Sequence, residues 1–511
     1  MNDSSAILKW LITYAVIVPL ALFIGYLLTN PLDYSTFAYV GVLGFVLVFP
    51  LLLRWHYWLL LFSLNASMVV FFLKGSPNLW LVTVVLSLGI SVLERALSSE
   101  KRFIGVPQVT WPLVCLVGVV LFTAKMTGGF GLRMLGSEVY GGRKYIFVLC
   151  AIMSYFALTA HRIPRHQAKW AVALFFLGGM TYFIGDLYGM LPSAFNFIFL
   201  FFPPSSRYDT GFDQGIYRLG GTAVASTAII CYLLARYGIR GIFLSGKRWR
   251  LAVFILFFSL TLLSGYRSTL VGLGLILVIQ FFLEGLHRTK LLPIFAVMGV
   301  FAMVVMIPLT PKLPYTVQRT LSFLPLLPVD PTARQDGQNT MQWRYDLWTS
   351  LLPMVPKHLL LGKGYAITAE DFEMMGSDVS FKATDPSQQG LALATDYHNG
   401  WLSVIIPFGI WGMLAFLGFL FAAGRVLYAN YRYSDPALQL VNAILLAMFL
   451  KSGLLFFGGA LSSDMMTFAS LVGFSVSLNG GVRQPAVEPV QKKEPLRPAR
   501  IFPRTHPAFQ R

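Results

Sequence analysis

Charged residues are scarce in this chain. Asp, Glu, Lys and Arg make up 12% of its 511 residues, about half the share of a soluble domain, which excludes a fold that faces water on all sides. Cysteine is scarcer still. Cys115, Cys150 and Cys231 all lie in apolar stretches, so neither a disulfide framework nor a thiolate metal centre is expected. Acidic residues are outnumbered, with 22 Asp and Glu against 40 Lys and Arg and a net charge of +18. No Asp-x-Asp pair occurs; the nearest is Asp371-Phe372-Glu373, read as a solvated helix face. No His/Cys cluster has zinc spacing, so no metal and no other cofactor is expected.

What the chain has is apolar length. Hydrophobic residues make up 56% and aromatic residues 15%, and runs of about 17 to 25 apolar residues, each able to cross a bilayer, recur from end to end. About fourteen candidate spans run from 10–28 to 460–479. Between them lie 36–53, 57–73, 79–97, 109–125, 145–160, 168–190, 219–236, 249–265, 268–285, 291–309, 399–424 and 438–457. The first, Trp10 to Leu28, has no small-residue cleavage site after it and reads as a retained span. The fold class expected is an all-α polytopic membrane protein with about 12–14 transmembrane helices.

Loop charges set the orientation. With a cytoplasmic N-terminus, the inside connections hold Arg54, Lys101 and Arg102, Arg162 and Arg165, then Arg240, Lys247, Arg248 and Arg250. Arg288, Lys290, Arg425 and Arg432 continue the series, as the positive-inside rule requires. Topology thus accounts for most of the charge, and no nucleic-acid partner is expected. The loop near 126–144 departs from the rule with Arg133, Arg143 and Lys144. Residues 310–397 form one long extracytoplasmic loop of mixed charge, and loops of that size are uncommon without a function. Within it Thr340–Val355 and Ala366–Met375 read as helical. The organisation expected is N-terminal spans over 1–217, spans carrying arginine motifs over 218–309, the loop over 310–397, C-terminal spans over 398–483 and a basic, Pro-rich cytoplasmic tail over 484–511. That tail suits contact with anionic lipid heads.

Four features fall on the outer side. Ser264-Gly265-Tyr266-Arg267-Ser268 joins two apolar runs, which holds Arg267 at the membrane surface. An arginine there is costly unless paired; the plainer reading is an anchor that snorkels to lipid phosphate. Trp343-Arg344-Tyr345-Asp346-Leu347-Trp348 lies in the long loop, where the plainer reading pairs Arg344 with Asp346. Leu360-Leu361-Gly362-Lys363-Gly364-Tyr365 permits a tight turn but is too weak for a phosphate loop. Tyr397-His398-Asn399-Gly400-Trp401-Leu402 places a histidine where the loop re-enters the membrane. It suits a general base, although a lone histidine at a helix start is more often a cap neighbour. Tyr217-Arg218-Leu219-Gly220-Gly221 sets one more arginine at the outer end of a span. Arginine forks grip phosphate oxygens, so the set suits an enzyme that holds a lipid-linked diphosphate while a histidine activates a hydroxyl acceptor.

In order and placement these motifs resemble the O-antigen ligase/polymerase superfamily of bacterial envelope glycosyltransferases. Ser264 to Arg267 is similar to its Ser-Arg-Gly segment, with Tyr266 before the arginine and Ser268 where the family has Gly. Arg344 to Trp348, followed by Leu360 to Tyr365, resembles Arg-x-x-x-Trp leading into Leu-Leu-Gly-x-Gly. His398-Asn399-Gly400-Trp401-Leu402 with Phe408-Gly409-Ile410-Trp411-Gly412 resembles His-Asn-x-x-Leu and the apolar-Gly helix after it. The resemblance runs from about Arg218 to Leu420. It implies a metal-independent, inverting transferase with an all-helical GT-C-like fold in the bacterial inner membrane, its active site on the periplasmic face. The donor implied is a glycan on undecaprenyl diphosphate; the acceptor is a glycan or the lipid A core, among membrane lipids. His398 would be the base, Arg267 and Arg344 the diphosphate clamp, Arg218 a further contact and Asn399 the residue that orients the histidine. Trp348 and Trp401 would stack on sugar rings or sit at the interface. Ligase and polymerase are not separated by these motifs. The rival class is a transporter or flippase of lipid-linked glycan, which calls for charges in mid-span; Asp186, Glu284 and Lys451 are the few that come near.

Overall fold

A chain this apolar satisfies its backbone inside hydrocarbon by forming helices. The computed structural model describes residues 34–73, 75–98, 102–131, 141–209, 216–367 and 397–485, with residue 395 and isolated positions between 17 and 25. Most of Trp10–Leu28, Arg133, most of Ala366–Met375, the Asp371/Glu373 pair and the tail beyond 485 lie outside the described residues.

In chain order the helices are α1 (Tyr34–Ser63), α2 (Leu79–Leu97), α3 (Pro107–Met126), α4 (Gly142–Thr159), α5 (Ala168–Leu177), α6 (Tyr182–Asp186) and α7 (Ile198–Phe201). A hairpin follows, β1 (Ser206–Asp209) antiparallel to β2 (Ile216–Leu219). Then come α8 (Gly220–Phe243), α9 (Arg248–Leu263), α10 (Arg267–Leu283), α11 (Leu291–Leu309), α12 (Tyr315–Leu321), α13 (Pro331–Leu351) and α14 (Met354–Lys357). The last three are α15 (Leu402–Tyr433), α16 (Pro436–Leu454) and α17 (Leu461–Asn479).

Among the described residues, eight helical stretches are long and apolar enough to cross a membrane. The chain is an all-α polytopic membrane protein. Two expected spans, 249–265 and 268–285, form helices of 16 and 17 residues, at the lower limit of a crossing. The runs 36–53 and 57–73 differ more: α1 continues through Pro50 to Ser63, and the chain then leaves the helix. Asn65 and Ser67 explain the exit. The Asn65 side-chain amide donates to Phe175 O at 2.7 Å, and the Ser67 amide donates to Thr181 Oγ1 at 2.8 Å. These polar contacts pull an apolar stretch into a turn.

The interior is built on α17, of whose apolar window 72% is buried. Its Gly473 brings it against α4, where an added Cβ would lie 3.0 Å from Leu158 Cδ1. Asn430, Asn442, Ser475 and Asn479 bond one another in the buried interior, as interior polar groups must. By contrast no residue of α11 is buried, which leaves it facing lipid.

Basic connections gather at one end of the bundle. There Arg165 pairs with Asp435 at 3.0 Å, and Glu284 accepts from the Ile239 amide at 2.8 Å, where Gly238 (φ +63°) breaks α8. At the other end Asp186 performs a similar task. This carboxylate is 2% exposed and accepts from Ser205 Oγ (2.7 Å), the amides of Gly221 (3.0 Å) and Thr222 (2.5 Å), and Thr222 Oγ1 (2.8 Å). A negative group is stabilised by the exposed amides at a helix N-terminus. Asp186 thereby fixes the start of α8, two residues after Arg218. Asp186 and Glu284 are thus helix-end ligands in this fold, although both are charges within apolar sequence.

Replacing Asp186 by Ala strands these donors in the interior. The expected cost is about 3 kcal/mol or more, read as a lower unfolding temperature of the detergent-solubilised protein. An unchanged transition would contradict the capping role.

Candidate active site

Three segments converge at the end opposite the basic connections. The turn Ser264–Tyr266 passes through Gly265 at φ +79° and delivers Arg267 as the first residue of α10. Ser264 O accepts from the Leu219 amide at 3.1 Å, which ties this turn to the β2 end that carries Arg218. A Cβ on Gly265 would meet Thr316 Cγ2 at 2.9 Å and Arg218 Cγ at 3.7 Å. The Arg218 stem therefore packs directly on the turn.

The short helix α12 adds an arginine that sequence reasoning missed. Arg319 Nη1 donates to Gly265 O at 3.3 Å, and its Nε lies 3.4 Å from Asp336 Oδ2 on α13. Both side chains are about as buried as the core, at 5% and 4% exposure. Tyr315 donates to the same Asp336 oxygen at 3.2 Å. Burial and the Asp336 charge push the Tyr315 phenol up to about 12. The signal available in sequence was the four-residue spacing of Tyr315 and Arg319, which puts both on one helix face. A loop of slightly acidic net charge concealed it.

Helix α13 then organises the rest. It starts at Pro331 under an Asp330 cap, whose carboxylate accepts from the Thr332 amide at 2.8 Å. Gly337 admits the Arg267 guanidinium: an added Cβ would lie 2.4 Å from its Nη1. Arg344 follows seven residues later, two turns on and on the same face. It is half-buried, and its Nε is buried without a hydrogen-bond partner among the described residues. Burial lowers its pKa from the ordinary arginine value, yet a guanidinium stays charged at neutral pH. Asp346 does not pair with it, since that exposed carboxylate accepts from Gln342 Nε2 at 2.8 Å. The charges of Arg319, Arg218 and Arg344 all act on Arg267, with Asp336 opposing them. Three further guanidinium groups thus act on Arg267, and one of them, Arg319, pairs with Asp336.

His398 lies beside the C-terminal half of the same helix. Its ring meets Trp343 edge-on, with centroids 5.4 Å apart. Its backbone sits in the left-handed region at φ +44°, a conformation histidine adopts more readily than most residues. Contacts on both sides hold it there. Trp348 Nε1 donates to Tyr397 O at 3.2 Å, and the Gly400 amide donates to Phe456 O at 2.9 Å. Asn399 Oδ1 accepts from the Trp401 and Leu402 amides at 3.0 and 3.2 Å, so it caps α15. Trp401 packs edge-on against Phe456 with centroids 5.1 Å apart. Gly458, two residues past Phe456, borders Arg344 Nη1.

The Gly362–Gly364 turn has a structural task. Its Lys363 and Gly364 amides donate to Ile406 O (2.8 Å) and Pro407 O (2.9 Å), and Leu359 O accepts from the Ile410 amide at 2.7 Å. These bonds serve the backbone groups released where Pro407 and Gly409 (φ +62°) break α15. The turn amides are therefore committed to protein. Beside the arginines, a cavity of about 640 Å³ lies between helices, with Ser268, Asn65, Tyr182, Lys451 and Asp464 on its walls.

The fold and this site define a class: a polytopic helical membrane protein with a cationic, histidine-bearing site at one end of its bundle. Residues 251–417 match the family model described as O-Antigen ligase. The matched segment is about a third of the chain, and over it the chain is similar to the O-antigen ligase/polymerase superfamily. No curated protein matches the chain. The matched segment contains Arg267, Arg319, Arg344 and His398; Arg218 lies outside it.

Two variants test the geometry. Gly337→Ala should displace Arg267 and lower turnover at least tenfold with little loss of stability, measured at matched expression; wild-type turnover would contradict the packing. Asp336→Asn leaves Arg319 buried without its counter-charge, at an expected cost of about 3–5 kcal/mol. Faster proteolysis within α12 and α13 would register it, and an unchanged cleavage pattern would count against the pair.

Proposed function

We propose that this protein transfers or polymerises a glycan from an undecaprenyl-diphosphate donor onto a hydroxyl acceptor at the outer face of the bacterial inner membrane. The observation that carries the reading is the gathering of arginines about Arg267, on which the charges of Arg218, Arg319 and Arg344 act, with the Arg344 Nε buried without a hydrogen-bond partner among the described residues. Four like charges held together repel one another, and a diphosphate is an anion of the charge and fork geometry that relieves them.

The proposed reaction assigns one role to each of these groups. His398 takes the proton of the acceptor hydroxyl, and the freed oxygen attacks the anomeric carbon of the donor sugar. The bond from that carbon to the diphosphate oxygen breaks, and its electron pair leaves with the lipid diphosphate. Arg267, seated against Gly337 of α13, and Arg344, two turns further along that helix, stabilise the developing charge. Arg218 adds a further contact to the diphosphate. Asp336 holds Arg319 and thereby the floor beneath Arg267. Trp348 and Asn399 shape the turn that carries His398, and Trp348 and Trp401 border the sugar path. The cavity beside Ser268 receives the lipid-borne part of a substrate. In this reading arginine charge does the work that a divalent ion does in other transferases.

The test supplies membranes holding wild type or His398→Ala with a lipid-diphosphate glycan and candidate acceptors. Glycan on the acceptor is expected from wild type, with at least a hundredfold loss in the variant. A ladder of products marks a polymerase and a single shift marks a ligase. Equal transfer by the two proteins would remove His398 as the base. Arg267→Lys and Arg344→Lys keep the charge and lose the fork, so turnover should fall strongly with insertion intact. Near-full activity in both would overturn the diphosphate clamp.

A further inference from the structure

At the end of the bundle away from Arg267 and Arg344, three side chains far apart in sequence come together. His56 of α1, Glu94 of α2 and His161, just past α4, each offer one ligand atom, and these atoms lie within 4.8 Å of one another. His56 is 5% exposed. Each imidazole is oriented by a serine on α2, with Ser87 Oγ 2.9 Å from His56 Nδ1 and Ser91 Oγ 3.1 Å from His161 Nε2. Ser87, Ser91 and Glu94 are four and three residues apart, so one helix face presents all of them. Such partners on a ring nitrogen are the outer contacts that fix tautomer and ring orientation in metal-bound histidines. A cavity of about 250 Å³ bordered by Ser91, Glu94 and His161 provides an entry path.

We propose that His56, Glu94 and His161 form a binding site for a divalent transition-metal ion, zinc in the first instance. Two imidazoles and one carboxylate are a donor set that zinc accepts. Ligands at about 2.1 Å from one tetrahedral ion stand roughly 3.4 Å apart, so small side-chain rotations close the site. The ion would tie α1, α2 and the segment after α4 together at the basic end of the bundle. It takes no part in the proposed transfer reaction, whose residues Arg267, Arg344 and His398 lie at the other end. Arg95, Arg102 and Arg162 also border the cavity and oppose cation entry, which makes the Glu94 carboxylate indispensable to binding. Zinc spacing is absent from the local sequence because each ligand comes from a different helix or helix end.

Equilibrium dialysis of the full-length protein in detergent, purified through a histidine-free tag, against zinc ions tests this. Elemental analysis should find one more bound equivalent in wild type than in His161→Gln or Glu94→Gln, with His166→Gln equal to wild type. Cobalt loading of wild type should produce the visible absorption bands of a low-coordinate ion, lost in His161→Gln. Equal zinc in wild type and both ligand variants would overturn the proposal. So would wild type without those cobalt bands, a reading that needs no variant to fold.

Discussion

The buried pair of Arg319 and Asp336 sits beneath Arg267, and the outer end of the molecule is arranged around it. A buried ion pair contributes little net stability, but removing one partner is costly because the other charge stays behind. The Arg319–Asp336 pair therefore acts mainly as a positional device: it holds α12 against α13 and against the turn that carries Arg267. Tyr315 completes the acceptor capacity of that carboxylate oxygen. With Asp336 paired to Arg319, Arg267 and Arg344 make no ion pair among the described residues, and on the proposed reading their charges meet the diphosphate.

The helices supply rigidity by repeating one solution. Wherever the chain must break a helix inside an apolar setting, another segment provides the missing partners. Asp186 serves the start of α8, Glu284 the break at Gly238, and the Lys363–Gly364 turn the break at Gly409. Each break is the exit or entry point of a segment that the bundle holds in place. The site is thus built from loops, yet those loops are bonded to helix ends, which preorganises the charged groups before any substrate arrives.

Much of this was legible in the sequence, and the parts that were not share a cause. Apolar length and loop charge gave the all-helical membrane class and the clustering of basic connections, since both depend on local composition. Arg218, Arg267, Arg344 and His398 could be picked out because each falls at the end of an apolar run or within a recurring motif. Arg319 and Asp336 could not, because their pairing depends on how two loop helices cross. The turn at 64–73 was misread as a span for a similar reason: its apolar residues look helical until the Asn65 side chain and the Ser67 amide find partners at Phe175 O and Thr181 Oγ1. Asn399 looked like a companion of the histidine, and in the structure its side chain caps the helix that follows.

The central claim is that the arginine cluster recognises a diphosphate, and direct binding measures it most simply. Purified protein in lipid nanodiscs would be titrated with undecaprenyl diphosphate, undecaprenyl monophosphate and undecaprenol. The account predicts that the diphosphate binds at least tenfold tighter than the monophosphate, with the gap narrowing as salt screens the arginines. Equal affinity for the diphosphate and the uncharged lipid would contradict it.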